Sequence, residues 1–411
     1  MKKILVLTST FPKNSQDQVP KFVYDQLDSI KNQYTNLEFL VLAPYIHDFQ
    51  EIDGSISINQ IRFHYFFLRK VEKLAGNGIL PTVKKNWLYV LLVPFLIIGQ
   101  IIATIRIIKE FKPDLLYAHW FFPQAFTTFI IKKLYGIPYV FTTHALDAWI
   151  LKKIPILGSY IARKVILNSN AYTSDSIKAE TSLHSFLKNT ELIKKKSIVL
   201  PMPVSFNLKL GVSEKVAKVL NDKKFKNNYL LFIGRFVSKK GLDILFPIFK
   251  TVLLEKPNLK LVLAGSGKNE FYYRNLIKKL EISKSVEFVG FVNSTEKKLL
   301  LDSARISIIP SIITNFGDEE GLPVVVLESL NSNTITLASL QSNSAEVIKN
   351  NINGYLFNPE NLNKSSDLIL EILNLDEVTK NKIILKANKK SKEFLAINSS
   401  KLFYDHLFKN I

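Results

Sequence analysis

The chain has 411 residues, enough for two or three domains, and its 47% hydrophobic and 22% charged content excludes a disordered or collagen-like protein. With 55 Lys and Arg against 35 Asp and Glu the formal charge is +20, which attracts phosphate groups and carries no information about fold. There is no Cys, so disulfides, thiolate catalysis and Cys-ligated zinc are excluded.

The opening Met1-Lys2-Lys3 runs straight into Ile4-Leu5-Val6-Leu7, without the pattern of a signal peptide, and predicts a cytoplasmic protein. Strands are expected at 3–8, 37–43, 115–118, 139–143, 165–168 and 198–200. A second set is expected at 229–233, 260–264, 286–289, 305–309 and 334–338. Runs this apolar belong to parallel sheets covered on both faces, and the spacing leaves room for a crossover helix each time. The fold class predicted is α/β, with two doubly wound Rossmann-like domains facing across a cleft. The boundary is expected near Pro201-Met202-Pro203, because Pro-x-Pro favours an extended connector.

Residues 87–105 (WLYVLLVPFLIIGQIIATI) contain no charge, yet Pro94, Gly99 and Gln100 interrupt them. Lys84, Lys85, Arg106 and Lys109 flank the run. Three readings stand: a buried helix, a helix lying in a membrane interface, and a membrane span near the lower length limit.

In open α/β sheets ligands bind at the carboxyl ends of strands, so residues just after strands matter most. At the end of the strand 229–233 come Gly234-Arg235 and then Lys240-Gly241. This cation pair suits a diphosphate, or is a pair of solvated surface charges in a Lys-rich chain. The segment Glu320-Gly321-Leu322-Pro323-Val-Val-Val-Leu-Glu328 follows the strand 305–309. Pro323 fits the first turn of a helix, whose amino terminus favours phosphate. Glu320 and Glu328 are spaced to accept hydrogen bonds from two sets of vicinal hydroxyls, or are a helix-dipole partner and an exposed helix charge. Val324 to Leu327 is wholly apolar, so the helix is expected to be buried and its carboxylate to need a partner. Gly265-Ser266-Gly267-Lys268 and Gly290-Phe291-Val292 are further strand-end turns. His144, after the strand 139–143 and before Asp147, is placed to hydrogen-bond a substrate hydroxyl or to be structural, and His119 is a weaker case of the same kind. No Asp-x-Asp pair, helical His pair, phosphate loop of the Gly-x4-Gly-Lys type or Gly-x-Ser-x-Gly elbow occurs.

The chain resembles the retaining, GT-B-fold glycosyltransferases of family 4, of the type that builds bacterial exopolysaccharide, capsule or lipopolysaccharide. The likeness rests on GRFVSKKG at 234–241, LAGSGK at 263–268, VEFVGFV at 286–292 and EGLPVVVLE at 320–328, with HALD at 144–147 adding to it. It implies an N-terminal acceptor-side domain over 1–203, a nucleotide-sugar domain over 204–390, and a C-terminal helix in 391–411 packing back on the first. It implies transfer of a sugar, with retention, from a nucleotide-diphosphate sugar to a saccharide or lipid-linked acceptor, with no cofactor and no metal. Arg235, Lys240, Gly321 and Leu322 would hold the diphosphate, and Glu328, Gly265, Ser266, Gly267, Gly290, Phe291 and Val292 the nucleoside. Glu320 would bind donor hydroxyls and His144 would sit near the anomeric centre. Where the family has Gly, this chain has Pro20-Lys21, Ala145, Asn333-Thr334-Ile335 and Ser342-Asn343. The basic, apolar first domain predicts contact with the anionic inner face of the membrane, and the spread of charge over both halves does not favour nucleic acid. The alternative reading is a degenerate GT-B protein that binds nucleotide without transfer.

Overall fold

The computed structural model describes residues 1–14, 17, 21–46, 56–75, 79, 82–83, 86–144, 148–154, 156–206, 210–315 and 317–409. Pro20, Lys84, Lys85, Ala145 and Asp147 lie outside the described residues. The chain forms two compact units, one of Met1–Pro203 with Ala396–Ile411 and one of Val204–Leu395.

The first unit holds β1 (Lys2–Leu7), β2 (Leu37–Pro44), β3 (Asn59–Phe63), β4 (Leu115–His119), β5 (Tyr139–Thr143), β6 (Ala171–Ser174) and β7 (Ser197–Val199). They pair in parallel in the order β3-β2-β1-β4-β5-β6-β7. The second unit holds β8 (Tyr229–Ile233), β9 (Lys260–Ala264), β10 (Val286–Gly290), β11 (Ile306–Ile309), β12 (Ile335–Ser339) and β13 (Tyr355–Phe357). Their order is β10-β9-β8-β11-β12-β13, again all parallel. Central strands are buried on both faces, as with Ile4, Leu5, Val6 and Leu7 in β1, which is why they read as unbroken apolar runs.

The strand expected at 165–168 is instead the end of the helix Leu157–Asn168. Val165 and Ile166 extend the buried face begun by Gly158 and Ala162, a helical spacing, and the strand comes later as β6. The short strands β3, β6 and β13 carry too little apolar sequence to be predicted.

The C-terminal segment completes the first unit's core. Tyr404 stacks on Tyr34 with ring centroids 3.7 Å apart, and Phe408 packs edge-on against Phe39 and Tyr117. Lys2 Nζ donates to the Phe408 carbonyl at 2.8 Å.

The reading of 87–105 as a buried helix is not what the structure shows. Two turns of 3-10 helix, Trp87–Leu92, lead into the helix Val93–Phe111, and only 22% of the most apolar stretch is buried.

In each sheet the connections reverse direction at one point, between β1 and β4 and between β8 and β11, and this is where an open α/β sheet leaves a crevice. In the second unit the loops leaving β8 and β11 are joined across that point. Ile312 N donates to the Lys239 carbonyl at 2.9 Å. Gly241 has φ +72°, and a Cβ there would stand 1.8 Å from the Pro310 carbonyl oxygen. Gly241→Ala is therefore expected to lower stability by more than the ~1–2 kcal/mol of the left-handed backbone alone. Urea unfolding checks this, and an unchanged midpoint would contradict the close approach.

Candidate functional site

The switch point of the second unit gathers charge. Lys239 and Lys240, in the 3-10 turn Ser238–Lys240 after β8, meet Glu320 in the loop after β11. Lys240 Nζ lies 3.1 Å from Glu320 Oε2, and Lys239 Nζ lies 3.3 Å from Oε1. Lys239 also reaches Asp318 Oδ1 at 3.4 Å and the Glu319 carbonyl at 3.2 Å. Burial pushes the Glu320 carboxyl up, but Lys240 and Lys239 outweigh it and hold it at about 2. Its Oε1 is buried against the Lys239 ammonium. Arg235 stands exposed at the tip of β8, with no ion pair among the described residues.

The loop carrying Glu320 is fixed from behind. Asn343, in the left-handed conformation at φ 57°, donates from Nδ2 to the Glu320 carbonyl at 2.7 Å. The helix that follows spans Val324–Leu330. Pro323 is its N-cap residue with extended ψ of 129°, not a member of its first turn, so Gly321 and Leu322 lie in the loop before it. Residues Val325 to Leu330 are all buried, Glu328 included, so Glu328 is not an exposed helix charge. Its partner is Lys297, whose Nζ lies 2.6 Å from Oε1. Lys297 sits on the helix Ser294–Ser303, which an Asn293–Glu296 capping box starts.

The turns after β8, β9 and β10 are sewn together. Gly234 N donates to the Ala264 carbonyl, Phe236 N to that of Ser266, and Gly265 N to that of Gly290. Gly265 has φ +141°, and a Cβ there would meet the Gly234 carbonyl oxygen at 2.0 Å. Phe291 is exposed, whereas Val292 is buried with Val289 and Leu300, so only its backbone is available to a ligand. Gly267 is likewise in close contact with the Phe236 backbone.

In the first unit His144 and His119 come together at the ends of β5 and β4. His119 Nδ1 is 3.2 Å from His144 Nε2, and His144 Nδ1 is 3.5 Å from Asp175 Oδ2. Phe22 and Trp120 pack against the His144 ring at centroid distances of 5.1 and 5.0 Å. Both ring nitrogens of His144 are thus engaged inside the unit. Burial, with His144 beside it, holds the His119 pKa well below that of free histidine, and among the described residues His119 Nε2 has no partner.

The sequence reading named Arg235, Lys240, Glu320 and Glu328 but missed Lys239, Lys297 and Asp175. Lys239 was in view as the neighbour of Lys240. Lys297 and Asp175 carry no local signal, because they are set by packing between distant segments. Among the described residues no group of three or more His, Asp or Glu side chains is arranged to hold a metal.

Two family models match. Glycosyl transferases group 1 covers residues 214–390, in the second unit, and Glycosyltransferase Family 4 covers residues 63–189, in the first. Both units carry glycosyltransferase domains. The chain is similar to an uncharacterised glycosyltransferase of Methanocaldococcus jannaschii, 28% identical over 67% of this chain and 70% of the relative. It is 27% identical to the amylovoran biosynthesis glycosyltransferase AmsK of Erwinia amylovora over 48% of this chain and 49% of AmsK, so that match spans about half the relative's length. Among solved structures, Anabaena HepE in complex with UDP and glucose matches with a TM-score of 0.71 over 98% of this chain and 99% of HepE, at 16% identity. Sucrose-phosphate synthase from Thermosynechococcus elongatus matches with a TM-score of 0.74 over the same shares, at 14% identity. The fold is that of the GT-B glycosyltransferases.

Because Glu320 is held at about 2 rather than the ordinary 4.5, it contributes stability that is fully present above pH 4.5 and lost as pH falls through 2. The stability advantage of the wild type over Glu320→Gln is expected to shrink across that window and to be constant above it. Urea midpoints at pH 7, 4 and 3 check this; a constant difference would mean that the two lysines do not hold the carboxylate.

Proposed function

We propose that the chain transfers a sugar, with retention of anomeric configuration, from a nucleotide-diphosphate sugar to a saccharide or lipid-linked acceptor on the cytoplasmic side of the membrane, in cell-surface polysaccharide synthesis. The observation that carries this reading is the grouping of Arg235, Lys239, Lys240 and Glu320 at the switch point of the second unit. HepE, whose fold is shared, binds UDP and glucose, and AmsK is a polysaccharide-building enzyme; both support the same class of donor and product.

Each group has a chemical task. Arg235 and Lys240 hold the donor diphosphate and stabilise the charge that develops on the leaving nucleotide, so the positive field comes from side chains and no metal or cofactor is needed. Lys240 has three N–H donors, and its bond to Glu320 leaves the others for phosphate oxygens. Lys239 bridges Glu320 to Asp318 and the Glu319 carbonyl, which makes it a positioning residue. Ionised Glu320 accepts hydrogen bonds from donor-sugar hydroxyls. The backbone of Gly321 and Leu322 assists at the phosphates.

Glu328 binds the ribose hydroxyls while Lys297 compensates its charge in a buried setting. Gly265, Ser266, Gly267, Gly290 and Phe291, with the backbone of Val292, line the nucleoside. In the reaction the bond between anomeric carbon and phosphate oxygen breaks, the acceptor oxygen bonds on the same face, and its proton passes to the departing phosphate. His144 serves as a catalytic group at the anomeric centre only if one of its nitrogens is released from His119 or Asp175, so its first role is to shape the end of β5.

UDP, GDP or ADP, or one of their sugars, is expected to raise the melting temperature of the wild type. Arg235→Ala and Glu328→Ala should each weaken that binding roughly tenfold or more, as loss of a charge-assisted bond does. Unchanged ligand shifts in both variants would overturn the site. Product from an α-linked donor should be α by NMR, and a β product would exclude retention.

A further inference from the structure

The helix Val93–Phe111 is built inside out. Its buried face is Leu96, Gln100, Thr104 and Ile107, so two of the four inward residues are polar. Leu91, Phe95, Ile98 and Ile102 recur at spacings of four, three and four and fall on the opposite side, exposed by 60%, 46%, 53% and 46%. A helix facing water shows the reverse order. Charge appears only at the far end of the helix, with exposed Arg106, Lys109 and Glu110.

A second element extends this face. After β3 the chain makes a hook at 64–74. Phe66 packs against Phe95 with centroids 5.0 Å apart, which places the hook beside the helix. At its tip Phe67 is 79% and Leu68 54% exposed, followed by exposed Arg69, Lys70 and Lys73. The hook is rigid at its root. Glu72, its only carboxylate, is buried and accepts from Tyr65 N and Phe66 N and meets His64 Nδ1 at 2.7 Å. Tyr65 Oη accepts from Leu74 N at 2.9 Å. Exposed Phe67 and Leu68 are therefore held out against water by buried bonds.

We infer that the hook 64–74 and the outward face of 88–102 together form a docking surface for an anionic lipid bilayer. The apolar side chains enter the acyl boundary and Arg69, Lys70 and Lys73 pair with the headgroups. Charge complementarity selects this occupant: the patch is apolar and cationic, and its one acidic side chain points inward. The helix lies on the bilayer in this reading and does not cross it, because Leu96, Gln100, Thr104 and Ile107 commit one side of it to the unit's core. The proposal rests on the first unit alone and stands apart from the donor site.

Co-sedimentation with phosphatidylcholine vesicles, with and without phosphatidylglycerol, tests it. The wild type should bind the anionic vesicles, and added salt should weaken binding. Phe67→Glu with Ile98→Glu, and separately Arg69→Glu with Lys70→Glu, should each reduce binding about tenfold or more. All four positions are exposed, so both variants should melt as the wild type does and keep its nucleotide-induced shift, which separates this test from the donor site. Trp87, 71% exposed, should shift its fluorescence to the blue on vesicles, and Trp87→Phe should lose that signal. Variants that bind as the wild type does would overturn the inference. So would a dimer that Phe67→Glu with Ile98→Glu dissolves in a wild type that ignores vesicles, since a second copy would then cover the face.

Discussion

The Lys239–Glu320–Lys240 cluster depends on a backbone contact beneath it. Two lysines and a glutamate from segments 80 residues apart meet because the loops leaving β8 and β11 lie against one another, and they do so because Gly241 has no Cβ to strike the Pro310 carbonyl. The parallel sheet supplies the rest, since adjacent β8 and β11 release their chains at the same edge. Around this point the charges are mutually determined. The lysines keep Glu320 ionised in a largely buried place, and Glu320 keeps two ammonium groups within reach of each other, which repulsion would otherwise oppose. An anion entering there meets cations already oriented, with Arg235 free at the rim.

The first unit shows the same principle with histidines instead of ion pairs. Asp175 lies beside His144 Nδ1, and His144 Nε2 meets His119 Nδ1. Among the described residues His119 Nε2 meets no partner, and burial keeps His119 uncharged. The two rings are joined directly, so substituting one histidine disturbs the other.

Much of the architecture is legible in the sequence because a parallel strand buried on both faces is mostly apolar. β1, β4, β5, β8, β9 and β12 each carry an apolar run of that kind and stand out. β3 (NQIRF) lies at a sheet edge with mixed side chains, and β6 (AYTS) is short and hydroxyl-rich, so neither has a signal. The run at 165–168 misleads because an apolar helix end and a buried strand look alike over four residues. Among site residues, Arg235, Lys240, Glu320 and Glu328 are visible because strand-end position and motif spacing are local. Lys297, 31 residues from Glu328, is not, because burial demands a partner for Glu328 without saying which chain segment supplies it.

The departures from the family's glycine pattern follow the same logic at Asn343. Glycine serves in such a turn because it adopts positive φ at no steric cost. Asn is the side chain that tolerates that region best, and at φ 57° it keeps the turn. It then does what glycine cannot, donating to the Glu320 carbonyl and tying the turn after β12 to the loop that carries the site. Flanking Ser342 and Ser344 bond each other at 2.6 Å and close the turn internally. At this turn the side-chain bonds of Asn343, Ser342 and Ser344 hold the backbone in place.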